Sequence, residues 1–410
     1  MKKIRMTVTA LLLVAVIMIS LISCTSSDAT NLLSGSRENV EGKEADKAFS
    51  AIVSDFTVNM LKDTYDGKNY ISSPFSLMIA LGMLTNGASG DTRTEIETLL
   101  GIEESELSKY ISAYIDSLEV TEKNKVVLAD SLWIRDGKNV REDFIMHNVN
   151  FYRAELYSAD FAKKSTVDDV NGWISDKTDG MIKDMLKKLE PDTAMLLINT
   201  ILFEAEWINK DEREDIPQMD FHSEDGTVSK VDMMFFEENK YIETEDAVGF
   251  VKYYTGSRYA FVGLLPNEDI SFEDYISALN GDYLNNALKS ATTRNIHLFM
   301  PRFEYGLDLD LVDYLKEKGM TKAFIEGVAD FGGITPDNDM FVSDVLHSAK
   351  ISNNTNGTKA AAATVIIMED ESCPPMPEDI VNIRLDRPFV YFIYDTQANI
   401  PLFAGAFNNK

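Results

Sequence analysis

The chain has 410 residues, of which 45% are hydrophobic, and it carries a formal net charge of −28 with only two cysteines, Cys24 and Cys373. This balance argues against nucleic-acid binding, because no basic stripe is available to neutralise phosphates. Length and apolar content suffice for a large core, and no interdomain linker is evident after residue 46, so one large domain is expected.

The N-terminus predicts export. It reads "MKKIRMTVTALLLVAVIMISLISC", in which basic residues precede an apolar run over residues 6–23, the pattern of a secretion signal. The sequence LISC at residues 21–24 resembles a bacterial lipobox, whose cysteine is lipidated and becomes the new N-terminus. We therefore expect a lipoprotein signal peptide over residues 1–23 and lipidation of Cys24. The alternatives are simple secretion and an uncleaved anchor. Lipoprotein and anchor both place the domain outside the cytoplasm, tethered to a membrane.

Helices are predicted in the first part of the chain. Residues 24–44 are rich in Ser, Thr, Asn, Glu and Lys and predict a flexible tether before a domain over residues 45–410. From Asp46 onward apolar residues recur at helical spacing. A second helix is predicted from Ser73 to Gly87, and residues 93–120 predict further short helices.

Strands are predicted to dominate the later part. Two continuous apolar runs, typical of strands buried on both faces, are "NKVVLADSLWI" and "MLLINTILFEAEW". Between them, "VDDVNGWISDKTDGMIKDML" predicts a helix, a turn at Gly180 and a second short helix. Strand-like runs alternate from residue 219 onward, "LDLVDYLKEKG" predicts a helix closed by Gly319, and the C-terminus predicts a hairpin around residues 396–399. The class is therefore α+β around large sheets.

An enzyme is the least favoured class. The histidines are His147, His222, His297 and His347. No HExxH, GxSxG, GxGxxG or P-loop motif occurs, and no cluster has metal-ligand spacing, so neither a metal nor a cofactor is expected. Glu204 and Glu206 share a strand face, but a solvated strand end explains them better than a general acid and base. A Ser-His-Asp triad stays open, because its members are adjacent only in space.

Residues 356–377, "NGTKAAAATVIIMEDESCPPMP", have properties of both a strand and a loop. As a strand, the segment has one uncharged face, formed by Thr358, Ala360, Ala362, Thr364, Ile366 and Met368. Both charged residues of its first part, Lys359 and Glu369, lie on the opposite face. The acidic and proline-rich end is typical of an exposed loop.

From about residue 46 to 410 the chain resembles the serpin family. The motifs that carry the resemblance are "NYISSPFSLMIALGMLTNGASGDTRTEI", "VNGWISDKTDGMIKDML", "LINTILFEAEW", "FVSDVLHSAK", "RPFVYFIYD" and "PLFAGAFNN", in the family's order and at its spacing. The resemblance implies three β-sheets, about nine helices and an exposed C-terminal reactive loop. It also implies a suicide inhibitor of extracellular serine, or alternatively cysteine, endopeptidases, which traps the acyl-enzyme by inserting the cleaved loop into the main sheet.

The resemblance assigns mechanical roles to individual residues. The hinge of the loop comprises Gly357, Thr358, Ala360, Ala361, Ala362, Ala363 and Thr364. A polar cluster beneath the opening sheet comprises Ser73, Ser76, Asn199 and His347, and Trp207 lies near the top of that sheet. The chain departs from the family at Thr355 and Lys359, where glutamate is usual, and at Ser348, where lysine is usual.

Family spacing from Gly357 places the scissile bond at Glu371–Ser372, with Asp370–Glu371 and Ser372–Cys373 as alternatives. The first choice predicts a target protease that prefers acidic residues. The expected partners are this protease and, through Cys24, a membrane, and the protein is expected to be a monomer. The alternative function is a non-inhibitory serpin that acts as a binding or carrier module. The small residues of the hinge favour the inhibitor, because bulky, charged or proline residues there would block insertion.

Overall fold

The computed structural model describes residues 28–409, except 34, 191, 214 and 359–379. Several predictions therefore lie outside the described residues: the signal peptide, lipidation of Cys24, the hinge residues Ala360, Ala361, Ala362, Ala363 and Thr364, and the bond Glu371–Ser372. Among the helices of the described residues, none combines the length and hydrophobicity that a membrane span requires.

Nine α-helices lie in the described residues. They are α1 (Lys47–Thr64), α2 (Pro74–Gly87), α3 (Gly90–Leu100), α4 (Glu104–Asp116), α5 (Glu142–His147), α6 (Lys164–Lys177), α7 (Phe272–Ala278), α8 (Gly281–Lys289) and α9 (Val312–Glu317). Local chemistry explains where the first two begin. The carboxylate of Asp46 accepts the N–H groups of Ala48 and Phe49, and Ser73 caps α2, with Pro74 in the first turn.

In the described part of the chain, the main sheet has seven strands. They are β1 (Thr30–Asn31), β3 (Asn124–Arg135), β4 (Glu155–Ala159), β5 (Met195–Glu206), β11 (Phe303–Asp310), β12 (Asp344–Asn353) and β13 (Gly357–Thr358). Their order is β1-β4-β3-β5-β13-β12-β11. Strand β5 is almost entirely buried, as its continuous apolar sequence predicts.

The second sheet has nine strands among the residues that the structure describes. They are β2 (Tyr70–Ser72), β6 (Gln218–His222), β7 (Val228–Glu243), β8 (Ala247–Tyr253), β9 (Tyr259–Pro266), β10 (Thr292–Pro301), β14 (Ile380–Arg384), β15 (Phe389–Asp395) and β16 (Ile400–Phe407). The long strand β7 pairs with β6 and β10 up to Tyr241 and with β8 from Tyr241 onward. Because β7 changes partner, the strands on its two sides form one continuous sheet. The expected fold has three sheets, and two of them are therefore joined here through β7.

Helix α2 lies in the core and contacts both β5 and β16. All of its residues except Asn86 are buried. A helix that is apolar all round must be covered on every side, which explains this central position. As a result, Ser73 and Ser76 in its first turn lie beneath the main sheet.

Part of the segment predicted to be a flexible tether is attached to the main sheet. Thr30 and Asn31 form β1 and pair with β4, and the N–H of Leu32 donates to the carbonyl of Leu156 at 2.8 Å. The carboxylate of Asp169 accepts the N–H groups of both Asp28 and Ala29. Backbone pairing with an open sheet edge outweighs the polar composition here.

The short helix predicted after Gly180 is absent, so that prediction was wrong. Residues 183–190 have no regular secondary structure. The side chain of Asn171 on α6 binds both backbone groups of Leu186, accepting from its N–H at 2.9 Å and donating to its carbonyl at 2.8 Å. These bonds replace the ones that a helix would have supplied.

Candidate functional site: a gap in the main sheet

The main sheet is split between β5 and β12. The two strands pair in parallel only where Asp344–Ser348 faces Leu196–Thr200. Beyond this seam, within the described residues, 201–204 of β5 and 349–352 of β12 are not paired with each other. Backbone groups along the two sides of this gap can therefore accept an additional strand.

Gly357 and Thr358 already occupy the top of the gap as β13. Thr358 pairs with Ala205 on one side and with Asn353 on the other. Its side chain is buried, on the face to which strand alternation assigns it, and its hydroxyl lies 2.7 Å from the hydroxyl of Tyr254. A Cβ at Gly357 would overlap the carbonyl oxygen of Ala205, so only glycine fits at this position.

Trp207 holds the turn that leads into β13. Its backbone N–H donates to the carbonyl of Asn356 at 2.8 Å, and its indole Nε1 donates to the carbonyl of Asn354 at 2.9 Å. The N–H of Asp211 donates to the carbonyl of Thr355 at 3.1 Å. Three consecutive carbonyl groups of the turn are thus bound by the segment that follows β5. The departure from glutamate at Thr355 leaves this backbone contact in place.

The four residues of the predicted cluster, Ser73, Ser76, Asn199 and His347, are brought together and are fully buried. The N–H of Ser73 donates to Nε2 of His347 at 3.0 Å, so Nε2 is the acceptor and the ring proton resides on Nδ1. That proton is donated to Oδ1 of Asn199 at 2.9 Å. Burial lowers the pKa of His347 to about 4, so its imidazole is neutral at physiological pH.

The cluster lies across the seam that a new strand must open. Asn199 of β5 and His347 of β12 are opposite each other in the parallel pairing, close to the point where the strands separate. The amide nitrogen of Asn199 also donates to the carbonyl of Ser76 at 2.8 Å and contacts its hydroxyl. This network joins both strands to the start of α2. Trp207 lies with Gly357 and Thr358 at the other end of the gap.

This geometry does not make His347 a catalytic base. Both of its ring nitrogens are engaged, and the hydroxyl of Ser73 donates to the carbonyl of Leu402 rather than to the imidazole. A nucleophile needs a hydrogen bond to its base, and that bond is missing here.

Sequence analysis missed Asp130, which belongs to the cluster. It lies on β3 opposite Asn199, is only 4% exposed, and accepts a hydrogen bond from the Asn199 amide at 2.5 Å. Burial raises the pKa of Asp130 to about 7, and the bond from Asn199 opposes this shift. The sequence did offer one indication of this residue, since Asp130 is the only charged residue in the mostly apolar run "VVLADSLWI".

The main sheet thus has a gap between two strands, with Gly357 and Thr358 at its top and a buried polar cluster at its base. Such a fold can accept a further strand. A family model described as serpin (serine protease inhibitor) matches residues 51–410. An uncharacterized serpin-like protein of Thermococcus kodakarensis is 30% identical over 93% of this chain and 91% of its own length. Neuroserpin of Mus musculus is 27% identical over 87% of this chain and 90% of its own length. The chain belongs to the serpin family.

Solved structures confirm the predicted α+β serpin fold. The thermophilic serpin tengpin in its native state is 34% identical, covers 93% of this chain and 100% of its own, and has a TM-score of 0.88. Latent tengpin, at 33% identity, covers 90% of this chain and 99% of its own, with a TM-score of 0.78. Thyroxine-binding globulin in complex with thyroxine is 27% identical, covers 88% of this chain and 99% of its own, and also has a TM-score of 0.78. Members of the family are mostly protease inhibitors, and the last example binds thyroxine.

Proposed function

We propose that this protein is a suicide inhibitor of extracellular serine endopeptidases, with cysteine endopeptidases as the alternative target class. Insertion of a reactive loop into the main sheet is the form of strand addition known for serpins. One observation supports it above the others: Thr358 is already paired with both sides of the gap, and Gly357 with β5. The loop therefore starts in register with the position it would fill.

The register of Thr358 defines where the rest of the loop would pair. If the same antiparallel pairing continues along β5 and β12, Thr364 lies between Asn199 and His347. Thr364 would thus replace the contact that closes the seam. The alanines before it would enter the gap without steric conflict, because small side chains need little room in a packed interior.

In this mechanism the protease carries out the bond cleavage, and the inhibitor responds with a conformational change. Attack of the protease nucleophile on the carbonyl carbon of Glu371 would form an acyl-enzyme, while the amine of Ser372 takes a proton and leaves. Water would ordinarily release the enzyme by cleaving this ester or thioester. Insertion of the cleaved loop moves the attached protease away first and distorts its active site. New strand pairing and apolar burial supply the free energy for this movement.

The proposed location is outside the cytoplasm, as a monomer held to a membrane by lipid on Cys24. The basic start, the apolar run and the LISC sequence support this placement. The N-terminal peptide should begin at Cys24 and carry the mass of a lipid-modified cysteine, and Cys24→Ser should abolish that lipid modification. An unmodified Cys24 in a membrane-bound protein would contradict lipidation and favour the uncleaved anchor.

The test uses the full chain in mild detergent and a panel of glutamyl, trypsin-like, elastase-like, subtilisin-like and papain-like proteases. We expect an SDS-stable complex with one of them, and a released C-terminal peptide that begins at Ser372. Glu371→Ala is the matched control: it should abolish the complex with a glutamyl protease and leave the unfolding midpoint unchanged. Loop cleavage without any complex, and without a gain in thermal stability, would exclude inhibition. It would favour the binding or carrier module, and thyroxine-binding globulin, which shares this fold, binds thyroxine.

A further inference from the structure

Lys252, on β8, is a buried lysine next to the hinge. Its side chain is 0% exposed, and its ammonium lies 2.6 Å from Oε1 of Glu238 on β7, a carboxylate whose side chain is 7% exposed. The same nitrogen donates to the backbone carbonyl of Asn209 at 2.8 Å. The rings of Phe236 and Trp207 cover it, with centroids at 3.8 and 4.9 Å. A lysine is almost never buried to this extent unless it is paired.

The carbonyl that Lys252 binds belongs to the segment that holds the hinge turn. Residues 207–211 follow β5, and the N–H groups of Trp207 and Asp211 bind the turn ahead of Gly357. Two further hydrogen bonds connect this segment to the second sheet. The N–H of Ile208 donates to a carbonyl of β8, and the side chain of Asn209 donates to a carbonyl of β7, both at 3.2 Å. The lysine bond is shorter than these and comes from a charged donor, which strengthens it.

Stability alone does not explain this pair. Burying two charges costs more than burying an apolar pair of similar volume, so such pairs contribute little to net stability. Burial lowers the pKa of Lys252 and raises the pKa of Glu238, and their mutual attraction opposes both shifts. An apolar pair would fill the same space, but it could not donate to the carbonyl of Asn209.

We infer that Lys252 is a positioning residue for loop insertion. By binding Asn209 it keeps residues 207–211, and the turn bound to them, in the geometry from which the loop beyond Thr358 enters the gap. Without this bond the segment is less constrained, and the first pairing step must compete with other conformations of the turn. This role rests on the proposed inhibitory function.

The experiment compares three variants of the full chain. Lys252→Met/Glu238→Gln removes both charges together with the bond to Asn209. Glu238→Gln alone keeps Lys252 as a donor. Arg153→Met removes an ion pair with Asp116 on α4, which contacts neither the gap nor the turn. Each protein is cleaved in the loop by the same protease, and the rate of appearance of the heat-stable form is followed. The number of inhibitor molecules consumed per inactivated protease is measured in parallel.

Loss of the bond to Asn209 should slow insertion about tenfold, equivalent to about 1.4 kcal/mol of activation free energy, and should increase the number of inhibitors consumed. Glu238→Gln keeps the donor to Asn209, and Arg153 lies away from the turn. Both variants should therefore insert within about twofold of the wild type, even where their unfolding midpoints fall. A purely structural role would instead lower stability without changing the rate. Equal insertion rates in the double variant and the wild type overturn this role for Lys252 alone. A wild type that gains no thermal stability after cleavage overturns the inhibitory function, and the role of Lys252 with it.

Discussion

The side chains of Asn199 and His347 meet across the seam of the main sheet, with 2.9 Å between Oδ1 of the amide and Nδ1 of the imidazole. The backbone N–H of Ser73 holds the other ring nitrogen at 3.0 Å. Opening the sheet separates Asn199 from His347, so the cost of breaking this contact bears directly on insertion. The ionisable groups of the cluster should therefore report on how firmly the seam is closed.

Acidification should weaken the fold through His347. Its pKa is about 4 in the folded protein and about 6.5 in an unfolded chain, so the unfolded state binds more protons between these values. The stabilisation is fully present above pH 6.5 and is lost as the pH falls through 4. It amounts to about 3 kcal/mol. Urea unfolding between pH 4 and 7 measures it, and His347→Gln should lack this component of the slope. An identical slope in the variant would contradict the assignment.

Asp130 should act in the opposite direction. Its pKa is about 7 when folded and 3.8 as a free side chain, so its contribution is greatest below pH 3.8 and is lost as the pH rises through 7. Asp130→Asn keeps an acceptor for Asn199 and removes the buried charge. It should raise the free energy of unfolding at pH 8 by about 2–4 kcal/mol. Because it removes a contribution that offsets that of His347, it should also steepen the loss of stability on acidification. Asp143→Asn, at an exposed position, is the control, and equal effects of both substitutions would exclude this role for Asp130.

A charge at Thr364 should convert the inhibitor into a substrate. The proposed register places this side chain on the buried face between Asn199 and His347, where an unpaired arginine costs several kcal/mol. Thr364→Arg should therefore be cleaved at the normal rate without forming the SDS-stable complex. Thr364→Ser keeps a small, neutral side chain at the same position and should still form it. Complex formation by both variants would show that the register is wrong.

Lys359 should face Glu204 when the loop inserts, because the register of Thr358 makes these residues direct neighbours on the outward face. Such a pair would explain why lysine is tolerated at this position. Lys359→Glu would place like charges opposite each other and should slow insertion by about two- to fivefold, the range expected for about 0.5–1 kcal/mol. Exchanging the charges in Lys359→Glu/Glu204→Lys should restore part of the rate, because Glu204→Lys also places a like charge opposite Lys125 on β3. If the exchange restores nothing, the two side chains are not neighbours in the inserted form.

The hydrogen bond between Thr358 and Tyr254 should stabilise the inserted start of the loop. Thr358→Val keeps the volume but leaves the buried Tyr254 hydroxyl without this partner, which should cost about 1–3 kcal/mol. Tyr254→Phe in the same background removes the unsatisfied group and should recover part of the loss. A double-mutant cycle on urea unfolding measures the coupling. Additive effects would indicate that the 2.7 Å contact contributes nothing.

Local sequence features were enough to predict several elements. Ser73 and Pro74 specify the start of α2 through capping and a pre-set φ, whatever lies elsewhere in the chain. The apolar run of β5 likewise indicates a strand covered on both faces. The same local rules failed after Gly180, where the side chain of Asn171 binds the backbone of Leu186 and displaces a helix. They also failed at Thr30 and Asn31, which pair with a sheet edge.

The sequence by itself determined the family through the order of its motifs. It also predicts a hinge of small residues after Gly357, because composition and strand alternation are local properties. Only the tertiary structure showed that Asp130 joins the cluster and that Lys252 binds the segment 207–211, which holds the turn ahead of Gly357. An isolated charge in an apolar run does not reveal its partner. Asn199 and His347 are 148 positions apart, and only the pairing of β5 with β12 brings them into contact. The gap above them likewise exists because two strands that are distant in the chain pair at one end and separate at the other.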